Sequence, residues 1–261
     1  PRNPSSFTPL LDNRYLLLGP ETAANQREIA KFSEHDAAAF PRYESFLARV
    51  AEHLEPVLSS AAPDPLPLPK EHRKIGLGKR LRDTRKLWGL FQALGELGDD
   101  IPEAVELLTG AARPFLERWF EADVLRATLA TDGIIGAFSS IASPGTAYVL
   151  LHHVMGEAGG ARGVWGYVRG GMGGLADSLE QACLDMRVEI RREAEVTRML
   201  TDEKGICGVQ LADSKVIETR CVASSIDAHW TFERLLDPAV LPESFRQGVA
   251  KIDYSSASAK I

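Results

Sequence analysis

Cysteine is scarce in this sequence, and long apolar runs are absent. The three cysteines, Cys183, Cys207 and Cys221, lie too far apart for a C-x-x-C pair or a pair of zinc ligands. We therefore predict reduced core thiols and no dithiol chemistry. No apolar run approaches the roughly 20 residues that would span a bilayer, and the longest candidate is the short segment 147–151.

Motifs for metal binding and for nucleophilic catalysis are also missing. His152 and His153 are the only adjacent histidines, and neighbouring residues on a helix point about 100° apart, so they cannot chelate one ion. There is no H-E-x-x-H motif, serine nucleophile elbow or Walker lysine. We predict no metal site, and no titratable residue stands out as catalytic.

The charge balance is acidic, with one basic exception. The formal net charge is -6 and the pI is about 5.6, which argues against a general nucleic-acid binder. The segment from Lys70 to Lys86, however, contains eight Lys or Arg residues and only two acidic residues, and Trp88 and Phe91 follow it. The segment Lys70–Phe91 fits either a basic amphipathic helix on an anionic membrane surface or a solvated helix face.

Residues 1–155 have mostly helical periodicity. Apolar residues recur at helical spacing from Phe40 to Leu58, and Ser33 to Asp36 has a pattern similar to a capping box. Pro41 is expected to kink this helix or delay its start. Four prolines between Ala61 and Pro69 predict an extended connector. We assign residues 1–155 to one mostly helical domain.

The composition changes at Gly156, since nine of the nineteen residues from there to Gly174 are glycine. Afterwards an alternating pattern predicts short strands, and residues 195–219 are typical of a three-stranded β-meander. Residues 163–202 predict an aromatic strand, a glycine turn, a helix and further strands. We assign residues 156–261 to a second domain, so the fold class is α+β or α/β.

The glycine turn formally fits a dinucleotide fingerprint. Gly171-Met-Gly173-Gly174-Leu-Ala176 matches G-x-G-x-x-A, with Glu193 about twenty residues further on. In the first interpretation, a pyrophosphate would bind to the N–H groups at the start of the helix, because the tight turn and the lack of side chains let it approach the backbone. The preceding strand is aromatic and not continuously aliphatic, which favours a structural glycine turn instead. From the pattern alone, both interpretations stay open.

Three stretches carry a family resemblance. The segments 167–179, 188–196 and 221–227 resemble the middle of FAD-dependent oxidoreductases of the phytoene desaturase and amine oxidase superfamily. The resemblance implies that the pyrophosphate fingerprint lies upstream of this sequence, so we expect a central fragment without the N-terminal dinucleotide-binding βαβ unit. It also implies a mitochondrial location.

The resemblance gives roles to particular residues. The turn Gly171, Met172, Gly173 and Gly174 would pass near the flavin ring of FAD or the substrate, and the backbone of Val196 would meet the adenine end. Residues 1–155 would form a substrate domain, followed by part of a Rossmann-like FAD-binding domain. His152, Trp165 and Tyr167 would line an apolar cavity for a small hydrophobic substrate.

Two functions follow from these expectations. The first is an FAD-dependent oxidoreductase in which the flavin takes a hydride from the substrate. The alternative is a catalytically silent protein that binds a protein partner or a membrane through Lys70–Phe91. The relatives' Ser-Asn-Ala-Asp is Ser224-Ser-Ile-Asp227 here, which keeps the turn-forming Asp but not the Asn.

Overall fold

A computed structural model describes residues 3–61, 77–136 and 138–255. The chain divides into two compact units, and the boundary falls between Tyr167 and Val168. The first unit is mostly helical, whereas the second combines a small antiparallel sheet with helices. This content is compatible with the predicted α+β class. The assignment of a substrate domain to residues 1–155 remains a prediction.

The first unit contains seven α-helices and two short hairpins among the described residues. The helices are α1 (Thr22–Ala30), α2 (Glu34–Leu58), α3 (Leu77–Glu96), α4 (Ile101–Thr109), α5 (Ala112–Trp119), α6 (Asp123–Ala130) and α7 (Thr146–Met155). The hairpins pair β1 (Ser6–Pro9) with β2 (Tyr15–Leu18) and β3 (Glu157–Ala158) with β4 (Ala161–Arg162). The helical prediction is therefore confirmed, while positions 62–69 of the predicted connector lie outside the described residues.

Helix α2 is the centre of the core. Its buried aromatic and aliphatic residues recur at helical spacing and pack against Phe115 and Phe120 of the α5 region. Burial of each such side chain stabilises the fold by roughly 1.5–3 kcal/mol. The amide of Asp36 donates to Ser33 Oγ at 3.1 Å, which confirms the helix cap at Ser33.

Pro41 does not delay the start of α2, contrary to one expectation, because the helix begins at Glu34 and continues through Pro41. A proline cannot donate to the carbonyl four residues earlier. Here Gln26 Nε2 donates to the oxygen of Ala37 at 3.0 Å instead. The side chain of Gln26 on α1 thus donates the hydrogen bond that Pro41 cannot give to the carbonyl oxygen of Ala37.

The second unit is built on the predicted meander. Strands β5 (Val196–Asp202), β6 (Gly205–Leu211) and β7 (Val216–Glu218) form an antiparallel sheet in the order β5-β6-β7. Met199 and Val209 pack with Leu235 and Leu236 in a small core. The prediction of a meander at residues 195–219 is confirmed. The other helices of this unit are α8 (Gly171–Asp185) and α9 (Glu243–Ala250), with a π-helical turn at Trp230–Leu235.

Several strand expectations are corrected. Within the predicted helical domain, residues 6–9 form strand β1 because they pair with β2, whose Leu16 and Leu18 are buried. Residues 164–168 and 188–191, which the pattern of residues 163–202 predicts to be strands, are not paired, and neither are residues 221–224. A strand needs a neighbour that pairs with its backbone groups, and no described strand pairs with these segments. The Rossmann-like sheet therefore stays a prediction.

The cysteines are unpaired, as expected, but they are not core residues. Cys183 and Cys207 are half-buried and Cys221 is exposed. The expectation of core thiols is wrong because α8 and the segment around Cys221 have no layer packed over them in the described residues. No described helix is long and apolar enough to cross a membrane.

Candidate functional site

The glycine turn opens helix α8. Gly170 and Gly171 have φ values of 84° and 73°, a left-handed conformation that side-chain-bearing residues rarely adopt. A Cβ at Gly174 would lie 2.7 Å from the carbonyl oxygen of Arg169. Three of the four glycines are therefore explained by the turn itself.

Gly173 is different, since its backbone is helical and a Cβ there would meet nothing within 4 Å among the described residues. No side chain caps the start of α8, and its first turn contains no acid. The N–H of Gly171 donates to the carbonyl oxygen of Val168 at 2.9 Å. The N–H groups that follow it at the start of the helix are flanked by backbone without side chains, and Met172 beside them is 72% exposed. This surface can accept a flat or anionic group at close range.

The apolar face of α8 is uncovered. No residue of this helix is buried, although apolar side chains recur at helical spacing. The exposed members of this face are Met172, Leu175 and Leu179, and Met186, also exposed, directly follows the helix. An isolated helix of this length is marginal in water, and the described residues do not bury the apolar face that would stabilise it.

Val196 is the first residue of β5 and is half-buried. It pairs with Leu211 of β6, and β5 is an edge strand of the sheet. No described strand pairs with the outer edge of β5. Backbone groups on this edge can therefore bind a ligand without any particular side chain.

The predicted cavity residues lie in the first unit, at the end of α7 and after β4. His152 is exposed, and its ring centroid lies 6.2 Å from that of Tyr148. Trp165 stacks on His153, not on His152, with ring centroids 5.7 Å apart. Tyr167 is 79% exposed. Their role in binding a substrate remains a prediction.

Sequence reasoning missed His153 and Asp132. The ring of His153 is fixed by a 2.8 Å hydrogen bond from Nδ1 to the oxygen of Val149. Asp132 is half-buried, and burial raises the pKa of its carboxyl group while the charge of His153 acts in the opposite direction. No motif connects these two positions in the sequence, because the fold brings the turn after α6 against α7.

A cleft of about 480 Å³ lies elsewhere on the helical unit. None of the predicted site residues lines it. An ion pair spans one wall, where Arg49 Nη2 lies 2.6 Å from Asp100 Oδ2. The lining residues are Pro41, Arg42, Ser45, Phe46, Arg49, Asp100, Glu103 and Trp119.

One described cluster has the composition of a metal site. Ligand atoms of His35, Asp36 and Glu121 lie within 4.8 Å of one another. Asp36 is fully buried, however, and its two oxygens accept the amides of Glu121 at 2.9 Å and Ala122 at 2.8 Å. Backbone amides therefore already occupy both oxygens of this carboxylate. The hydrogen bonds give the cluster a structural role, since they connect α2 to the segment before α6.

The basic segment presents an apolar stripe on α3. Leu81, Trp88 and Phe91 are 65%, 61% and 69% exposed. The rings of Trp88 and Phe91 stack with centroids 6.0 Å apart. The exposed bases on this helix include Arg80, Arg82 and Arg85. Positions 70–76 of the predicted contact lie outside the described residues.

Comparison with known proteins gives full-length and partial similarities. No protein-family model matches the chain. It is 39% identical, over an alignment of 268 positions that covers 100% of the chain, to pyridine nucleotide-disulfide oxidoreductase domain-containing protein 2 of Rattus norvegicus. The same identity and extent hold for the protein of that name from Mus musculus. The chain spans 45% of the length of each of these relatives.

A carotenoid enzyme is similar over a shorter stretch. The zeta-carotene-forming phytoene desaturase of Myxococcus xanthus is 29% identical over 123 residues, which cover 47% of this chain and 23% of that enzyme. The predicted resemblance to phytoene desaturases is thereby confirmed. Over its whole length, this chain is similar to pyridine nucleotide-disulfide oxidoreductase domain-containing protein 2.

Proposed function

We propose that this chain is part of an FAD-dependent oxidoreductase that transfers a hydride from a small hydrophobic substrate to the flavin. The names of its relatives support this class, because they describe an oxidoreductase domain and a desaturase. Desaturation removes hydrogen from carbon and needs a two-electron acceptor, which bound FAD supplies. A mitochondrial location, which the family resemblance implies, remains a prediction.

The observation that carries the proposal is the bare start of α8. The backbone of Gly171, Gly173 and Gly174 projects no side chain, and the adjacent N–H groups have no cap. Gly173 is the glycine that the turn does not explain, and glycine inside a helix costs about 1 kcal/mol relative to alanine. Close approach of a flat ring to the backbone would offset this cost, and Met172 would pack against the same ring. These residues therefore fit a flavin.

Val196 would hold the other end of the cofactor. At an open strand edge, a main-chain amide and carbonyl can pair with the edge of an adenine base. Such pairing does not depend on the side chain, so an apolar residue at position 196 is compatible with it. The exposed edge of β5 supports this role.

The substrate would lie against the aromatic residues at the end of the helical unit. Trp165 and Tyr167 offer partly or largely exposed ring faces, and His152 is exposed beside them. Flat aromatic surfaces bury apolar ligand area and exclude water from it. They would bind and orient a hydrophobic molecule.

Purification of a polypeptide with the full length of the relatives tests the proposal. We expect a yellow protein that releases FAD on denaturation, and we expect Gly173→Val to lower its FAD content. Gly248→Val in α9 is the matched control, because a Cβ there also meets nothing within 4 Å. A colourless protein that releases no flavin would contradict the proposal. Stoichiometric FAD binding by residues 1–261 alone would contradict the need for further segments.

The exposed stack of Trp88 and Phe91 favours a second function, in which the chain is a catalytically silent protein that binds an anionic membrane surface. Aromatic rings flanked by Arg80, Arg82 and Arg85 match the interface of such a membrane. Charge reversal of these arginines should abolish flotation with vesicles that contain phosphatidylserine. Reversal of Arg191, which lies outside α3 and has an acidic neighbour in Glu189, is the control. If the α3 charge reversals left flotation unchanged, α3 would not be the membrane-binding surface. An acidic protein would then be the remaining class of partner for this helix.

A further inference from the structure

The cleft between α2, α4 and α5 has an apolar floor. Its volume of about 480 Å³ lies within the range of roughly 300–1,000 Å³ that is typical of small-molecule sites. Phe46 is buried at the floor, and the indole ring of Trp119 lies beside it with ring centroids 5.9 Å apart. Pro41 also lines the cleft. This floor can bury the apolar part of a small ligand and exclude water from it.

Ion pairs fix the walls of the cleft. Arg49 of α2 pairs with Asp100, which directly precedes α4, and 2.6 Å separates Nη2 from Oδ2. Arg118 of α5 pairs with Glu106 of α4. These contacts join the three helices around the cleft. The cleft is therefore formed before a ligand binds, and little binding free energy is lost to the ordering of its walls.

Two opposite charges in this cleft have no partner in the described part of the chain. Arg42 is exposed and lies two turns before Arg49 on the same face of α2. It forms no hydrogen bond or ion pair with any described residue. Glu103, half-buried in the first turn of α4, is likewise unpaired among these residues. Since Arg49 and Asp100 neutralise each other, the cleft presents one free guanidinium and one free carboxylate.

Two neutral hydrogen-bond donors of the cleft also lack partners. The hydroxyl of Ser45, one turn after Arg42 on α2, forms no hydrogen bond within the described residues. The indole N–H of Trp119 is buried and has no acceptor among them either. A buried donor without an acceptor is unfavourable. The cleft therefore has more donors than the protein itself satisfies, and a ligand with a carboxylate would supply acceptors.

We propose that this cleft binds a small zwitterion with an apolar body, the chemistry of an apolar amino acid. The planar guanidinium of Arg42 donates two parallel hydrogen bonds to the carboxylate of the ligand, and Ser45 donates to the same group. Glu103 accepts from the ammonium group. The apolar body packs on Phe46 and Trp119. This site does not depend on the proposed flavin chemistry, because none of the residues assigned to the flavin or its substrate lines the cleft.

The two free charges select against ligands that carry only one charge. A carboxylate without an ammonium group is attracted by Arg42 but repelled by Glu103, and an amine without a carboxylate has the opposite balance. Solvent screens both residues, so each contributes only moderately to affinity. Selectivity for a zwitterion comes from the action of both charges on one molecule.

Proton–nitrogen NMR of the chain tests where the ligand binds. The indole N–H of Trp119 gives a signal of its own, which Trp119→Phe identifies, and the probes are L-phenylalanine and L-leucine. We expect both amino acids to shift this signal until the site is saturated and to leave the indole signals of Trp88 and Trp230 in place. If neither probe shifts the Trp119 signal, or if both shift only the other two signals, the proposal is overturned.

Matched probes test the charge selectivity. Compared with L-phenylalanine, 3-phenylpropanoate lacks the ammonium group and 2-phenylethylamine lacks the carboxylate. We expect each to bind about tenfold more weakly than L-phenylalanine, because one charge-assisted hydrogen-bonded contact is lost. Binding of 3-phenylpropanoate or 2-phenylethylamine as tightly as L-phenylalanine would overturn the assignment of a zwitterion.

Charge-removing variants test the two residues. Arg42→Gln should weaken L-phenylalanine binding about tenfold without weakening that of 2-phenylethylamine, and Glu103→Gln should weaken it without weakening that of 3-phenylpropanoate. The retained binding of the second probe shows that each variant is folded. Arg27→Gln and Glu117→Gln, at exposed positions that do not line the cleft, are the controls and should change nothing. Unchanged L-phenylalanine binding in Arg42→Gln or Glu103→Gln would overturn the proposal.

Discussion

The imidazole ring of His153 stacks on the indole ring of Trp165, with centroids 5.7 Å apart and 26° between the ring planes. This contact connects the end of α7 to the segment that follows β4 within the helical unit. It also fixes which of the two adjacent histidines is shielded, since His152 remains exposed. The aromatic segment therefore has a defined place even though its residues form no strand.

Replacement of Trp165 by leucine tests the stack directly. The indole ring current should shift the ring protons of His153 in the unmodified chain, and this shift should be lost in Trp165→Leu. Trp230→Leu is the control, because this tryptophan lies in the other unit. Proton NMR of the histidine ring region measures the effect. Unchanged His153 resonances in Trp165→Leu would show that the rings do not stack in solution.

Asp132→Asn should stabilise the fold more at neutral pH than at low pH. Burial raises the pKa of Asp132 above its ordinary value of 3.8, so its contribution to stability is fully present below 3.8 and is lost as the pH rises through the folded pKa. Asparagine cannot ionise, so the variant does not lose this contribution as the pH rises. Urea unfolding at pH 3.5 and pH 7 measures the difference.

Asp213→Asn is the control of opposite sign for that experiment. The hydrogen bond from Lys215 lowers the pKa of Asp213, so this carboxylate stabilises the fold above 3.8 and the contribution fades as the pH falls. Its effect should be small because the pair is solvent-exposed. An Asp132→Asn variant that gains nothing between pH 3.5 and pH 7 would contradict the burial of this carboxyl group.

Asp36→Ala should destabilise the helical unit by about 3 kcal/mol, because the amides of Glu121 and Ala122 would lose their acceptor inside the protein. Asp12→Ala, which removes an exposed ion pair with Arg14, should have little effect. Denaturant unfolding measures both. If the cluster of His35, Asp36 and Glu121 bound a metal ion instead, a chelator would lower the stability of the unmodified chain.

Leu179→Ser on α8 should change the stability of residues 1–261 by less than about 0.5 kcal/mol, because this side chain is 61% exposed. The same substitution should destabilise a polypeptide with the full length of the relatives, where we expect the apolar face of α8 to be covered. Leu107→Ser, at a fully buried site, should cost about 3 kcal/mol in both. Equal, small effects of Leu179→Ser in both proteins would mean that nothing covers this face.

Local patterns predicted those parts of the fold whose cause is local. The stripe of α2, its cap at Ser33 and the turns of the meander each depend on a few neighbouring residues. Residues 164–168 misled the prediction, because an apolar segment becomes a strand only when a neighbour pairs with it. The same reason explains β1, which is a strand only because β2 lies beside it.

The candidate site was only partly accessible to sequence reasoning. The glycines of 171–174 are visible as a motif, and the resemblance gave that motif a meaning. The stack of His153 on Trp165 was not visible, because it depends on how the segment after β4 packs on α7. Which of two adjacent histidines meets the indole ring depends on the rotation of the helix, and no short motif specifies it.

A structure of the FAD-bound polypeptide with the full length of the relatives tests the central claim most directly. We predict that the flavin ring or substrate lies beside Gly171–Gly174 and that the adenine meets the backbone of Val196. A pyrophosphate bound on Gly171–Gly174 would contradict this account and would make the turn a dinucleotide fingerprint after all.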